Sequence, residues 1–176
     1  KKYWDLYDPA AIKLADNPFT PQDAPALAMH GWEELRYYYD MPKKGPLSEE
    51  QARRLRHGYY ASVSYIDAQI GRLLAELDRL GLRQNTIVVL WGDHGWHLGE
   101  QNVWGKATNF EQATRAPLII SAPGMKAAGK KTGALGEFVD IYPTLCQLAK
   151  LPLPDHLEGV SLAPLLNDPA LPWKKA

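Results

Sequence analysis

Asp93, His94, Trp96, His97 and Lys106 stand within one short stretch. It reads Gly92-Asp93-His94-Gly95-Trp96-His97-Leu98-Gly99-Glu100 and continues as a loop rich in Gly, Asn and Trp that ends at the lone Lys106. The Asp93 carboxylate is a hard oxygen donor suited to Ca²⁺ or Mg²⁺, and the His94 imidazole is a ligand for softer divalent metals that can complete a mixed shell. Adjacent Asp and His side chains can serve as metal ligands, as an acid–base pair or as a hydrogen-bonded loop anchor. Two donors do not complete a shell of roughly six oxygens, so a metal reading requires ligands from elsewhere or from water. A single lysine in a loop is ordinarily solvated; beside the same crevice it could hold an anion as a point charge.

The flanking segments are expected to place these groups at the rim of a sheet. Thr86-Ile87-Val88-Val89-Leu90-Trp91 is apolar and rich in β-branched residues, without polar alternation, which predicts a short strand buried on both faces and ending at Gly92. Leu118-Ile119-Ile120-Ser121 predicts a second strand. In open α/β sheets ligands bind just outside the carboxyl ends of the strands, where Asp93 and His94 fall. Upstream, Ser48 and Gln51 form a capping box for a helix from Glu49 to Leu80, with Gly81 as its terminator. Leu55, Tyr59, Val63, Ile66, Ile70, Leu73, Leu77 and Leu80 recur at spacings of three and four and define an apolar face that should lie along a sheet. The helix, turn and strand make the second half of a βαβ unit whose first strand is not in view. Within the helix, His57 neighbours Arg53, Arg54 and Arg56 and is read as part of a solvated face.

Residues 1–45, with Pro9, Pro18, Pro21, Pro25 and Pro42, predict irregular coil with short helical turns, its aromatic side chains anchoring it to a larger body. Residues 48–148 are the expected α/β core, closing on a helix that Asp140 caps and that runs through Leu148 with Pro143 in its first turn. Residues 149–176 read as a loop-rich tail with a helical turn near Leu162–Leu166. Twenty basic and twenty acidic residues cancel, which gives no expectation of nucleic acid or anionic membrane as a partner and favours a small molecule. No apolar run approaches the length of a membrane span. Cys146, the single cysteine, is read as a small buried apolar residue.

The string Val88-Val89-Leu90-Trp91-Gly92-Asp93-His94-Gly95-Trp96-His97-Leu98-Gly99-Glu100, with Trp104-Gly105-Lys106 and Phe110-Glu111, resembles the second signature region of the sulfatase family. Its Asp-His form is similar to the iduronate-2-sulfatase branch. So are Tyr3-Trp4, Tyr59-Tyr60-Ala61-Ser62-Val63-Ser64-Tyr65-Ile66-Asp67, Gly71-Arg72-Leu73-Leu74, Ala116-Pro117-Leu118-Ile119 and Val139-Asp140-Ile141-Tyr142-Pro143-Thr144-Leu145. The resemblance implies an alkaline-phosphatase-like α/β fold, a mixed or parallel sheet flanked by helices, and hydrolysis of sulfate esters of carbohydrates or smaller compounds. It implies that Asp93 and His94 complete a Ca²⁺ shell, with Mg²⁺ the lesser alternative. It further implies that Lys106 holds the ester as the catalytic cation and that Trp96, with His97 more weakly, contacts the substrate.

The sequence departs from the family pattern in one decisive respect. Sulfatases attack with a formylglycine made from a Cys/Ser-x-Pro-x-Arg motif, and that pentapeptide does not occur here. The paired aspartates of the family's first strand and its Pro-His-x-Pro segment are also missing. The chain is therefore expected to be the C-terminal portion of a sulfatase catalytic domain, inactive alone, with the N-terminal half supplying the formylglycine and further ligands. An open sheet edge and an uncovered apolar face would then favour self-association. By resemblance, the compartment would be periplasmic, secreted or lysosomal. A phosphatase or phosphonate hydrolase of the alkaline phosphatase superfamily, and a non-catalytic sulfatase-like module, are the alternative readings.

Overall fold

The computed structural model describes residues 1–29, 31 and 33–174, the side chain of Glu33 excepted. Four α-helices and four β-strands occur among them: α1 (Glu33–Arg36), α2 (Glu49–Arg79), β1 (Val88–Trp91), β2 (His97–Leu98), β3 (Trp104–Gly105), α3 (Glu111–Thr114), β4 (Leu118–Ser121) and α4 (Ile141–Leu148). They belong to two compact units, Lys1–Glu76 with Trp91–Pro117 and Leu77–Leu90 with Leu118–Ala176.

The capping box at the start of α2 forms as its spacing predicts. Ser48 N–H donates to Gln51 Oε1 at 3.0 Å, and Gln51 N–H donates to Ser48 Oγ at 3.2 Å. At the other end Gly81 takes a left-handed φ of 68°. Its N–H reaches the Asp78 carbonyl at 3.0 Å, and Leu82 N–H reaches the Leu77 carbonyl at 2.9 Å. Those two bonds are the Schellman closure, which a residue with a Cβ would enter only with strain.

In the first unit, Leu35, Met41 and Trp104 form a buried cluster, with Leu47, Ala52, Leu55 and Leu98 packed against it. The N-terminal segment is irregular with short helical turns, and it is pinned to α2. Tyr7 Oη and Ser64 Oγ are 2.6 Å apart, and the Tyr3 and Tyr65 rings meet edge-on at 5.5 Å. His57, expected on a solvated face, is instead 1% exposed. Its Nε2 donates to the Trp4 carbonyl at 2.8 Å, and its ring lies 3.7 Å from that of Trp4. The arginines beside it gave the local polarity, but Trp4, far away in sequence, provides both a hydrogen-bond acceptor and an aromatic cover. The apolar face of α2 is only partly covered: Val63, Ile66 and Leu73 are all more than half exposed.

Strand β1, which the second unit holds up to Leu90, pairs with β4 in a two-stranded sheet. The expectation of a strand buried on both faces is not met, since Leu90, Trp91 and, on β4, Ile119 are exposed. A pair of strands has too few neighbours among the described residues to cover both faces. The α4 helix begins where the sequence predicts, but Asp140 does not cap it by a side-chain bond. Its carboxylate accepts from Glu137 N–H and Val160 N–H, both at 2.8 Å, and from Lys174. Thr144, fully buried, donates to the Asp140 carbonyl at 2.6 Å and accepts from Leu162 N–H at 2.8 Å. Ile141, Cys146, Leu162, Ala163 and Leu165 complete this buried region, with Cys146 a free buried thiol as its surroundings in the sequence suggest.

Candidate active site

The Asp93–Lys106 region lies wholly in the first unit, and a small hairpin sets its geometry. Strands β2 and β3 pair antiparallel, with His97 opposite Gly105 and Leu98 opposite Trp104. Continuing that register by one position brings Trp96 opposite Lys106. The Lys106 ammonium accordingly lies 5.2 Å from the centre of the Trp96 ring. The hairpin turn is tied to α2 by Arg56. Its guanidinium donates to the Leu98 carbonyl at 3.2 Å and pairs with Glu100 at 3.4 Å, while Glu100 accepts from Leu98 N–H at 2.7 Å.

The Asp93–His94 segment is held by its neighbour Gly95. Gly95 N–H donates to the Ala113 carbonyl at 2.7 Å, and a Cβ at position 95 would fall 1.9 Å from the Gln112 carbonyl oxygen. Only glycine fits at that approach, which seats the loop directly on α3. Gly92 N–H is bound to the Pro117 carbonyl at 3.0 Å, fixing the other side. His94 Nδ1 donates to the Gly95 carbonyl at 2.8 Å, and its Nε2 lies 3.6 Å from Asp93 Oδ2. The Asp93 side chain is 85% exposed and that of His94 37%. The two donors therefore converge on accessible space, with the His94 tautomer set by the backbone.

As a donor set, Asp93 and His94 suit part of a divalent-cation shell. Among the described residues no group of three or more His, Cys, Asp or Glu side chains is placed to share an ion. Any remaining ligands would have to come from water or other polypeptide. His97 is placed differently from its neighbours. It is 0% exposed, with Nδ1 donating to the Glu100 carbonyl at 3.3 Å, Nε2 accepting from Thr108 Oγ1 at 2.8 Å, and the Phe110 ring edge-on at 5.8 Å. It offers no surface for a substrate to touch and instead braces the loop that leads to Lys106.

Sequence reasoning missed Glu34, the carboxylate that meets Lys106. Glu34 Oε2 is 3.0 Å from Lys106 Nζ, with the two side chains 50% and 39% exposed. No spacing rule joins positions 34 and 106; only the packing of α1 beside β3 does so.

The sulfatase family profile matches residues 25–151. The chain belongs to the sulfatase family. It is 37% identical to mouse (Mus musculus) iduronate 2-sulfatase over 88% of its own length and 33% of that protein. Among solved structures, a phosphonate monoester hydrolase from Silicibacter pomeroyi superposes with a TM-score of 0.76 at 31% identity, over 96% of this chain and 34% of that one. A protein solved with its substrate D-glucosamine-2-N,6-O-disulfate superposes with a TM-score of 0.65 at 32% identity, over 76% of this chain and 28% of that one. This sulfatase chain thus has the mixed helix-and-sheet, alkaline-phosphatase-like architecture expected from its sequence, and it spans about a third of the length of the curated relatives it matches.

Proposed function

We propose that this chain supplies one side of the active site of a sulfuric ester hydrolase acting on sulfated saccharides. The observation that carries the reading is the placement of Lys106 opposite Trp96, in the same loop system that presents Asp93 and His94 to accessible space. Lys106 binds the ester oxygens and stabilises the charge they gain as the bond to the leaving oxygen breaks; Trp96 fixes the ammonium and offers an apolar wall to the substrate. A divalent cation held in part by Asp93 and His94, calcium by family resemblance, would add positive charge at the same oxygens. The attacking group, a formylglycine by the same resemblance, belongs to polypeptide that this chain does not contain. The saccharide is supported by the glucosamine disulfate substrate of one structural neighbour and by the iduronate 2-sulfatase name of the mouse relative.

The reading is tested in the complete enzyme. Lys106→Ala should lower kcat/KM by about 10²–10³ while leaving bound calcium unchanged, and Lys106→Arg should restore little because a planar fork does not replace a compact ammonium. Asp93→Ala should reduce the bound calcium itself, measured by elemental analysis. A Lys106→Ala enzyme within about threefold of wild type would remove Lys106 from the mechanism. The isolated 176-residue chain is expected to hydrolyse no aryl sulfate above a heat-killed control. The phosphonate monoester hydrolase neighbour favours a second reading, in which the same cation and lysine receive a phosphonate ester. Comparing kcat/KM for matched aryl sulfate and aryl phosphonate esters decides between the two.

A further inference from the structure

We propose that Glu34 sets the charge preference of the Lys106 anion site, admitting an ester that carries one negative charge and weakening the hold on the doubly charged sulfate that hydrolysis leaves behind. The inference rests on the function proposed above, in which Lys106 receives the ester.

The backbone that carries the carboxylate is held in place. Glu34 lies on α1, and Leu35 beside it is 5% exposed, in the buried cluster with Met41 and Trp104. Trp104 belongs to β3, just before Lys106, so the cluster that fixes α1 also fixes the strand leading to the lysine. The segment after α1 is closed on itself. Arg36 donates to the Pro42 carbonyl at 2.7 Å and the Gly45 carbonyl at 2.6 Å, and Lys43 donates to the Arg36 carbonyl at 2.6 Å and the Tyr38 carbonyl at 3.2 Å. From this held backbone Glu34 Oε2 meets Lys106 Nζ at 3.0 Å, while the ammonium rests 5.2 Å from the centre of the Trp96 ring. With side chains 50% and 39% exposed, the pair stays within reach of an incoming anion.

The anion changes charge in the reaction. A sulfate monoester is a monoanion; with water it gives an alcohol, the sulfate dianion and a proton. The bond between sulfur and the leaving oxygen breaks, the water oxygen stays on sulfur, one water hydrogen goes to the leaving oxygen and the other to solvent. Lys106 thus faces a monoanion before the reaction and a dianion after it. Glu34 and Lys106 are neutral as a pair, so the carboxylate opposes each charge that an anion brings. At salt-bridge range in water-like surroundings, with salt screening, one further charge is worth about threefold in affinity. For the monoanion this repulsion is offset, because the same carboxylate holds the ammonium in position before the ester arrives. The dianion bears the excess and leaves sooner, and Glu34 closes again on the lysine.

Calorimetric titration of the complete enzyme at neutral pH with methanesulfonate, a monoanion it cannot hydrolyse as an ester, and inorganic sulfate, a dianion, tests this. Glu34→Gln should tighten sulfate by about threefold and leave methanesulfonate within about 1.5-fold, and Glu34→Lys, which reverses the charge, should shift the ratio of the two affinities by about tenfold. In turnover of an aryl sulfate, inhibition by added sulfate should strengthen in the same order. Lys106→Ala should weaken both anions and abolish the effect of the Glu34 substitutions. If Lys106→Ala weakens both anions but neither Glu34 variant moves the affinity ratio, the ester reading stands and the role of Glu34 is overturned. Equal tightening of both anions also overturns it, since Glu34 would then compete for the lysine without preference. Affinities untouched by Lys106→Ala overturn the ester reading and this inference together. Should Glu34→Lys fail to fold, Glu34→Gln, which keeps the size and shape of a half-exposed side chain, carries the comparison.

Discussion

Two lysine–carboxylate pairs, one in each unit, are built from the same charges at nearly the same distance and lie in opposite surroundings. Lys106 and Glu34 meet at 3.0 Å, with both side chains open to water. Lys174 and Asp140 meet at 2.8 Å, but Asp140 is fully buried. Burial alone would raise the Asp140 pKa. The hydrogen bond from Lys174, those from the Glu137 and Val160 amides, and the Lys174 charge together outweigh burial and hold the carboxyl below its ordinary range. The hydrogen bonds to Asp140 and Glu137 in turn push Lys174 up. A buried carboxylate with its acceptors filled cannot be exchanged for another anion without leaving three donors stranded. A surface pair, worth at most about 1 kcal/mol, can be opened by an incoming anion at little cost. The difference between a pair locked in place and a pair open to exchange therefore lies in its surroundings rather than in its members.

The contrast can be broken most severely at Asp140. Asp140→Ala leaves Lys174, Glu137 N–H and Val160 N–H without their shared acceptor. It should destabilise the second unit by about 3 kcal/mol, read from the shift of its urea transition. A smaller effect comes through pH. Because the folded pKa of Asp140 is depressed, its contribution is fully present above the ordinary value of 3.8 and fades as the pH falls through the lower folded value. Lys174 has the reverse sign: its contribution is present below the ordinary value of 10.5 and is lost as the pH rises through the raised folded value. Urea midpoints followed against pH should flatten at the acid end in Asp140→Asn and at the alkaline end in Lys174→Met.

The smallest effect on folding should come from Glu34. Glu34→Gln should move the urea midpoint by no more than an equivalent of about 0.5 kcal/mol, yet tighten inorganic sulfate binding in the complete enzyme by about threefold, because the anion no longer competes with a carboxylate for Lys106. Unchanged sulfate affinity would mean that Glu34 does not guard the lysine. Lost stability above about 2 kcal/mol would place this pair with Asp140 as scaffold, and the contrast between the two units would collapse.

The sequence made the local features legible. Ser48, Gln51 and Gly81 marked both ends of α2 because capping depends on residues a few positions apart, and the run before Gly92 marked β1 for the same reason. What escaped was contact at long range. His57 was assigned to water because its neighbours in sequence are arginines, whereas Trp4 buries it. His97 looked like one more polar group beside Asp93 and His94, but strand alternation turns it inward to Thr108 and Glu100 while Trp96 faces Lys106. The exposure of Val63, Ile66 and Leu73 was legible only in outline: absent strands imply an uncovered apolar face, but periodicity does not say which residues of a face stay open.

The antiparallel register of β2 and β3 makes the turn between them a gauge. Leu98 and Trp104 face each other, and the residues between them close through the Gly99 N–H to Val103 carbonyl bond at 3.0 Å. Adding or removing a single residue there would slip the pairing by one step and swing the ammonium to the opposite side of the ribbon, away from the indole it now covers. Loop length at this place is thus under as tight a geometric demand as the identity of the lysine itself: a natural variant could keep every chemical group and still lose their alignment by one codon.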